Sequence, residues 1–389
     1  MARFARRITN TSPKSFGMFQ KAAAMASSGI DLIHLELGRP FHDTPAHIKD
    51  ATVKALRDGL VHYSDLRGEP ALRRALQSKL AEYNKITVSP DEILMTNGLT
   101  QASFVAFMAL LDEGDEAILL EPFYPQHINK IEMTGAKVVY APLDKDDNFS
   151  IKRELIEPLI TARTRMIVLV NPSNPTGRVY SRAELEILAD LAIKNDLVVV
   201  SDEVYEQILF DGVEHISIAS LPGMRERTIS MFAFTKAYAM DGWRLGYIAA
   251  DASMMPALLK LTANEITHVN TFIQYGALAA VTGDASILDE MVADDRRKRD
   301  LVVSRLNQMP GVTCTSPEGT IYAFPNISGT GLKSQQAADL ILEKAGVVVE
   351  AGGFYGEAGD NHLRVCFGSE SYERLEQAMD RLSGFFNAL

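Results

Sequence analysis

The chain has 389 residues, 47% hydrophobic and 23% charged, a soluble globular balance too large for one small core. A net charge of −11 with no basic stripe excludes a general nucleic-acid binder, and no apolar run reaches transmembrane length. Cys314 and Cys366 are too few for a disulfide framework or a zinc site, so no metal is expected and a reducing, cytoplasmic setting is.

In chain order, 92–96 reads as a strand, 101–111 as a helix, 117–120 as a strand, 128–133 as a helix and 137–140 as a strand. Residues 165–170 form a strongly apolar strand. Ser181, with Glu184 three residues on, predicts a capping box opening a helix that runs to about Lys194. Strands follow at 197–201, 228–232 and 245–250. Apolar strands separated by helices predict an α/β fold, a mostly parallel sheet covered on both faces. Beyond it come a long charged helix (285–308), short strands at 312–315, 321–325, 347–350 and 362–367, and a final helix (372–386). This change of rhythm predicts a large domain over 46–280 and a small α+β domain made of 281–389 with residues 1–45.

The segment Phe-Thr-Lys-Ala-Tyr-Ala-Met-Asp-Gly-Trp-Arg-Leu-Gly-Tyr (234–247) concentrates the chemistry. An unprotonated lysine amine at 236 can attack a carbonyl, and the Arg244 guanidinium can grip a phosphate through parallel hydrogen bonds. Other polar groups fall where strands end, the place where open α/β sheets gather ligands. Asp202 follows one strand and could hold a cationic ring nitrogen; alone it reads equally as a turn or N-cap residue. Asn174 lies in Asn-Pro-Ser-Asn-Pro-Thr-Gly (171–177), a rigid turn from which its amide could donate to a phenolate oxygen. Asn97-Gly98-Leu99-Thr100 precedes a helix and suits a phosphate, or Thr100 is simply an N-cap. Tyr124 could stack on a flat heteroaromatic ring or belong to the core. Arg364, between apolar neighbours, needs a buried carboxylate partner, from a substrate or from an internal acid.

Together these segments, from Leu37-Gly38-Arg39-Pro40 through Tyr63 and Gly68 to Arg364, resemble the class I aminotransferases, pyridoxal-phosphate (PLP) enzymes of fold type I. The resemblance implies a three-layer PLP-binding domain beside the small α+β domain. It implies PLP as cofactor, with Lys236 holding its aldehyde covalently and later moving the substrate proton. Asp202 would be the ring-nitrogen partner, Tyr205 and Asn174 donors to the ring oxygen, and Tyr124 the stacking aromatic. Gly98, Leu99, Thr100 and Arg244 would contact the phosphate. Gly38, Asn174 and Arg364 would bind the substrate carboxylate. The substrates implied are an L-α-amino acid and a 2-oxo acid, exchanged by a ping-pong route. A homodimer with shared sites is implied, Tyr63 of the partner subunit reaching the phosphate.

Two positions depart from the family pattern. Ala233 stands where a phosphate-binding serine is common, a loss that Thr235 could replace. Arg39 stands where an acid is frequent and could meet an acidic substrate group or partner, or only solvent or a local acid. Side-chain specificity is expected to involve residues 15–19. Two other readings stay open: a PLP-dependent C–S β-lyase of the same fold, and a regulatory protein built on an aminotransferase-like body.

Overall fold

The computed structural model describes residues 3–12, 17–26 and 29–389. Ser15 and Phe16, part of the expected specificity segment, lie outside the described residues.

Seven strands form the central sheet: β1 (Ile93–Thr96), β2 (Glu116–Glu121), β3 (Lys137–Pro142), β4 (Thr164–Val170), β5 (Val198–Asp202), β6 (Thr228–Ala233) and β7 (Gly246–Ala249). Their spatial order is β1-β7-β6-β5-β4-β2-β3. Strands β2 to β6 pair in parallel. β7 runs antiparallel to both neighbours, β1 and β6. A parallel partner needs a crossover, whereas an antiparallel one needs only a loop. Segment 234–245, which links β6 to β7, contains no helix and stays at one edge of the sheet.

Alternate residues of the apolar strands serve opposite faces. Ile118, Leu120, Ile167, Leu169 and Val199 pack on one side with Leu185, Leu188 and Leu191 of the helix Arg182–Lys194. Ala117, Leu119, Met166, Val168 and Val200 pack on the other with Ala102, Val105 and Ala106 of the helix Leu99–Leu110. Burying each leucine or isoleucine stabilises by about 1.5–3 kcal/mol, so slipping any strand by one residue would expose both layers. The capping box opening the helix Arg182–Lys194 is formed in both directions: Glu184 N–H donates to Ser181 Oγ at 3.3 Å, and Ser181 N–H to Glu184 Oε2 at 2.9 Å.

A second α+β body carries its own core. Ile33–His34 pairs in parallel with Val347–Val348. Glu350–Ala351 and Tyr322–Ala323 flank Leu363–Cys366 in an antiparallel sheet. Ile33, Leu35, Val302, Leu306, Ile341, Leu375 and Leu382 share one apolar cluster.

Several local expectations are corrected. Residues 312–315 form no strand; Thr313 makes a single bridge to Asn326. The run 347–350 splits at Val349, because the chain changes partner from Ile33–His34 to Leu363–Cys366. The helix expected from 101 begins at Leu99, with Gly98 rather than Thr100 as N-cap. Helices Ala46–Arg57, Pro70–Lys79, Met255–Glu265, Thr271–Thr282 and Ser334–Ala345 complete the layers. Thr271–Thr282 carries no clean apolar stripe because it packs against both Ala46–Arg57 and Pro70–Lys79.

Candidate active site

Strands β1, β2, β4, β5 and β6 all end at one edge of the sheet, and antiparallel β7 begins there. That topology gathers Gly98, Tyr124, Asn174, Asp202, Lys236 and Arg244, each within a few residues of its strand terminus.

Lys236 Nζ donates to the Gly38 carbonyl and lies 5.9 Å from the centre of the Tyr205 ring. Asp202 is the last residue of β5 and is buried. One of its oxygens accepts from Val204 N–H at 3.3 Å; the other lies 3.5 Å from His127 Nε2. Burial pushes the His127 imidazole below its ordinary pKa, against the pull of Asp202. The Tyr124 ring meets His127 edge-on at 5.2 Å. Burial, and then the charge of Asp202, raises the Tyr124 phenol above its usual range.

The Gly98 backbone has φ +76°, and a Cβ there would lie 2.6 Å from Arg244 Nη2. This glycine therefore lets a guanidinium close directly over a helix N-terminus. Gln101 N–H and Ala102 N–H both reach the Gly98 carbonyl. Among the described residues nothing accepts from the N–H groups of Leu99 and Thr100, as expected for a first helical turn. Arg244 itself has φ +56° and donates from Nη1 to the Asp241 carbonyl at 2.9 Å. Two free N–H groups, a helix dipole and a guanidinium suit a dianionic phosphate. Thr235 is half-buried beside Lys236, and no hydrogen bond engages its side chain.

Arg364 comes from the second body and is buried. Its Nη1 donates to Asn174 Oδ1 at 3.2 Å and its Nη2 to the Glu36 carbonyl, while Nε has no partner. No acid forms a direct ion pair with Arg364 among the described residues; buried Glu350, opposite it on the neighbouring strand, acts on its charge only at longer range. The guanidinium lies between aromatic faces, 4.4 Å from the Tyr322 ring centre and 5.0 Å from that of Tyr355. A buried cation with an orphaned donor is costly unless an anion arrives.

Tyr63 stands apart, 88% exposed, its ring 5.3 Å from that of His268. Arg39 is exposed, with no ion-pair partner among the described residues. The sequence reading missed His127, Tyr322 and Tyr355. His127 lies five residues before Glu132 in an ordinary helix, and only the fold turns it to Asp202. Tyr322 falls in the expected short strand 321–325 and Tyr355 in a glycine-rich stretch, and neither position by itself points to the site.

The donor set therefore fits a cationic heterocycle carrying an aldehyde and a phosphate: a carboxylate that can take a ring N–H, a cradle for a phosphate and a lysine amine that can take the aldehyde. An α/β fold with that constellation at its carboxyl edge defines an enzyme acting on small amine or carbonyl compounds. The model of the family "Aminotransferase class I and II" matches residues 30–382. The aspartate aminotransferase of Pyrococcus abyssi is 39% identical over 94% of this chain and 93% of its own length. The aromatic-amino-acid aminotransferase 2 of Thermococcus litoralis is 38% identical, covering 92% of each. The solved structure of Thermus thermophilus aspartate aminotransferase with maleate superposes with a TM-score of 0.93 at 33% identity, over 99% of this chain and 100% of that one. The chain belongs to the class I and II aminotransferases, and its activity is the transfer of an amino group.

Proposed function

We propose that the chain is a PLP-dependent aminotransferase that moves an amino group between an L-α-amino acid and a 2-oxo acid by a ping-pong route. The observation that carries this reading is the approach of Lys236 and Arg244, Asp202, and Arg364 to one edge from three separate segments. Bound PLP would supply an aldehyde carbon and an electron sink. Arg244 with the N–H groups of Leu99 and Thr100 would hold its phosphate, and Thr235 would stand in for the hydroxyl missing at Ala233. Asp202 would pair with the ring nitrogen and keep it protonated, and His127 would orient Asp202. Tyr205 and Asn174 would donate to the ring oxygen, and Tyr124 would cover the ring face.

Arg364 and Asn174 would seat the substrate carboxylate, which fixes the α-carbon toward Lys236. The free Lys236 amine would take the α-proton and return it on the other side of the transfer. The names of the relatives differ, aspartate in one and aromatic amino acids in another, so they do not choose the side-chain class for this chain.

A homodimer is part of the same proposal. Val53, Leu56, Val61 and Tyr63 are large apolar or aromatic side chains exposed near one another in sequence. A second copy would cover them and bring Tyr63 of the partner subunit to the phosphate. The domain limits near residues 45 and 280 and a cytoplasmic location also belong to this proposal. Among the described residues no helix is long and apolar enough to cross a membrane.

The test is spectral. Each of the twenty amino acids is added to PLP-loaded protein, and the visible cofactor band is followed. Conversion to the amine-form band by some amino acids, and its loss in Lys236→Ala, is expected. No conversion by any amino acid would overturn the reading, and pyruvate and ammonia released without an oxo acid would favour the β-lyase.

A further inference from the structure

We propose that Tyr322 is a positioning residue of this site: its hydroxyl donates to Tyr205 and thereby commits the Tyr205 proton to the bound ligand. The inference rests on the cofactor reading above and deepens it.

Tyr322 is 1% exposed and lies on the short strand Tyr322–Ala323 of the second body. Tyr205 follows β5 of the central sheet. Their hydroxyl oxygens are 2.8 Å apart and their rings meet at 77° with centres 5.7 Å apart. The bond therefore joins the two bodies at the site itself.

Each phenol has one proton and can accept as well as donate. Only one proton can lie between the two oxygens, so the direction matters. Around Tyr322 the alternatives to Tyr205 are poor. The Arg364 guanidinium over its ring is a cation with no lone pair to accept a proton. The Gly38 α-carbon is pressed against the hydroxyl, since a Cβ at Gly38 would lie 1.9 Å from the Tyr322 oxygen. Despite that approach, the Tyr322 hydroxyl makes no hydrogen bond to the Gly38 carbonyl, which accepts from Lys236. Among the described residues the Tyr322 hydroxyl meets no acceptor other than Tyr205. Tyr205 faces the ligand space, with Lys236 Nζ 5.9 Å from its ring centre. Tyr322 is thus the donor of the pair, and the Tyr205 proton is free to point at a ligand acceptor. A phenol that accepts one hydrogen bond becomes the stronger donor in the next.

The same side chain stacks beneath Arg364, but that contact belongs to the ring rather than the hydroxyl. Tyr322→Phe separates the two. It keeps the ring under Arg364 and removes only the donation to Tyr205. Donation toward the cofactor's ring oxygen favours its more negative, deprotonated form. Weakening that donation is expected to raise the pH midpoint of the bound cofactor's visible absorption by about half to one unit. KM for the amino acid is expected to stay within about twofold. Tyr322→Leu, which removes the ring as well, is expected to raise KM.

The experiment is a pH titration of the visible band in four holoenzymes: wild type, Tyr322→Phe, Tyr205→Phe and the double variant. Expected are an upward shift in Tyr322→Phe, at least as large a shift in Tyr205→Phe, and no further shift in the double variant. An unmoved midpoint in Tyr322→Phe overturns the proposal, and so do additive shifts in the double variant. Replacement of Tyr322 by 3-fluorotyrosine keeps the bond and makes its donor more acidic, so the midpoint should move down; an upward or absent shift overturns the proposal even if the Phe variant does not fold. A wild type that takes no visible band sinks the cofactor reading and this inference together, whereas a normal wild-type titration with unmoved variants sinks this inference alone.

Discussion

The guanidinium of Arg364 and the amide oxygen of Asn174 lie 3.2 Å apart although 190 residues separate them. One comes from a strand of the second body, the other from the turn after β4. The pair joins the second body to the central sheet and leaves Arg364 Nε without a partner. A substrate carboxylate can occupy that remaining donor capacity.

Arg364→Lys keeps the charge and loses the planar fork. The expected outcome is a loss in kcat/KM of roughly 10- to 100-fold, the size of one charge-assisted hydrogen bond, with most of it in KM. Steady-state kinetics with any accepted amino acid checks this. A change confined to kcat would show that Arg364 does not seat the carboxylate.

Gly98→Ala addresses the phosphate cradle. The added Cβ would sit 2.6 Å from Arg244 Nη2 at a residue with φ +76°. The guanidinium must swing away, and a non-glycine backbone at φ +76° and ψ 173° costs about 1–3 kcal/mol. PLP affinity is expected to fall about tenfold, measured by equilibrium titration, while the apoprotein melts within a few degrees of wild type. Equal affinity in the variant would place the phosphate elsewhere.

Arg39 bears on substrate choice. It is exposed, lacks an ion-pair partner among the described residues and adjoins Gly38, whose carbonyl touches Lys236. Arg39→Ala is expected to lower kcat/KM for dicarboxylic amino acids about tenfold and to leave neutral ones within twofold. An unchanged ratio between the two classes removes the role.

Two buried groups give stability opposite pH slopes. Burial pushes the Asp295 carboxyl up from 3.8 to about 7, with Lys298 drawing it down and Asp294 raising it. The His42 ring also faces it, at 3.9 Å. Its protonated form is favoured in the fold. That stability is full below pH 3.8 and is lost as pH rises through 7, on the order of 4 kcal/mol in all. His362 is the reverse. Burial, and then Lys145, lowers it from 6.5 to about 4, and its ring stacks on Phe324 at 4.7 Å. Its stability is present above pH 6.5 and lost as pH falls through 4. Asp295→Asn is therefore expected to become more stable from pH 4 to 7, His362→Phe less stable, and wild type to be flatter than either. Urea titrations across that range check the three slopes, and parallel curves would rule out both assignments.

The sequence by itself determined the chemistry of the strand ends: the lysine at 236, the carboxylate closing one apolar strand, the amide between two prolines, and the arginine among apolar residues. Those residue types are costly or odd where they stand unless something binds them, so they are visible one at a time. Local signals of short range were equally legible, such as the Ser181–Glu184 capping box, because each is complete within four residues. Only the tertiary structure decided what meets across the cleft. The reversed direction of β7, which puts Arg244 against Gly98, follows from strand pairing that no single segment encodes. His127 beside Asp202 and Tyr322 against Tyr205 are contacts over 75 and 117 residues, made by side chains that the sequence places only beside an ordinary helix and in a short strand. Such pairs are fixed by the packing of whole layers, since burial acts on area removed from water and is blind to separation along the chain.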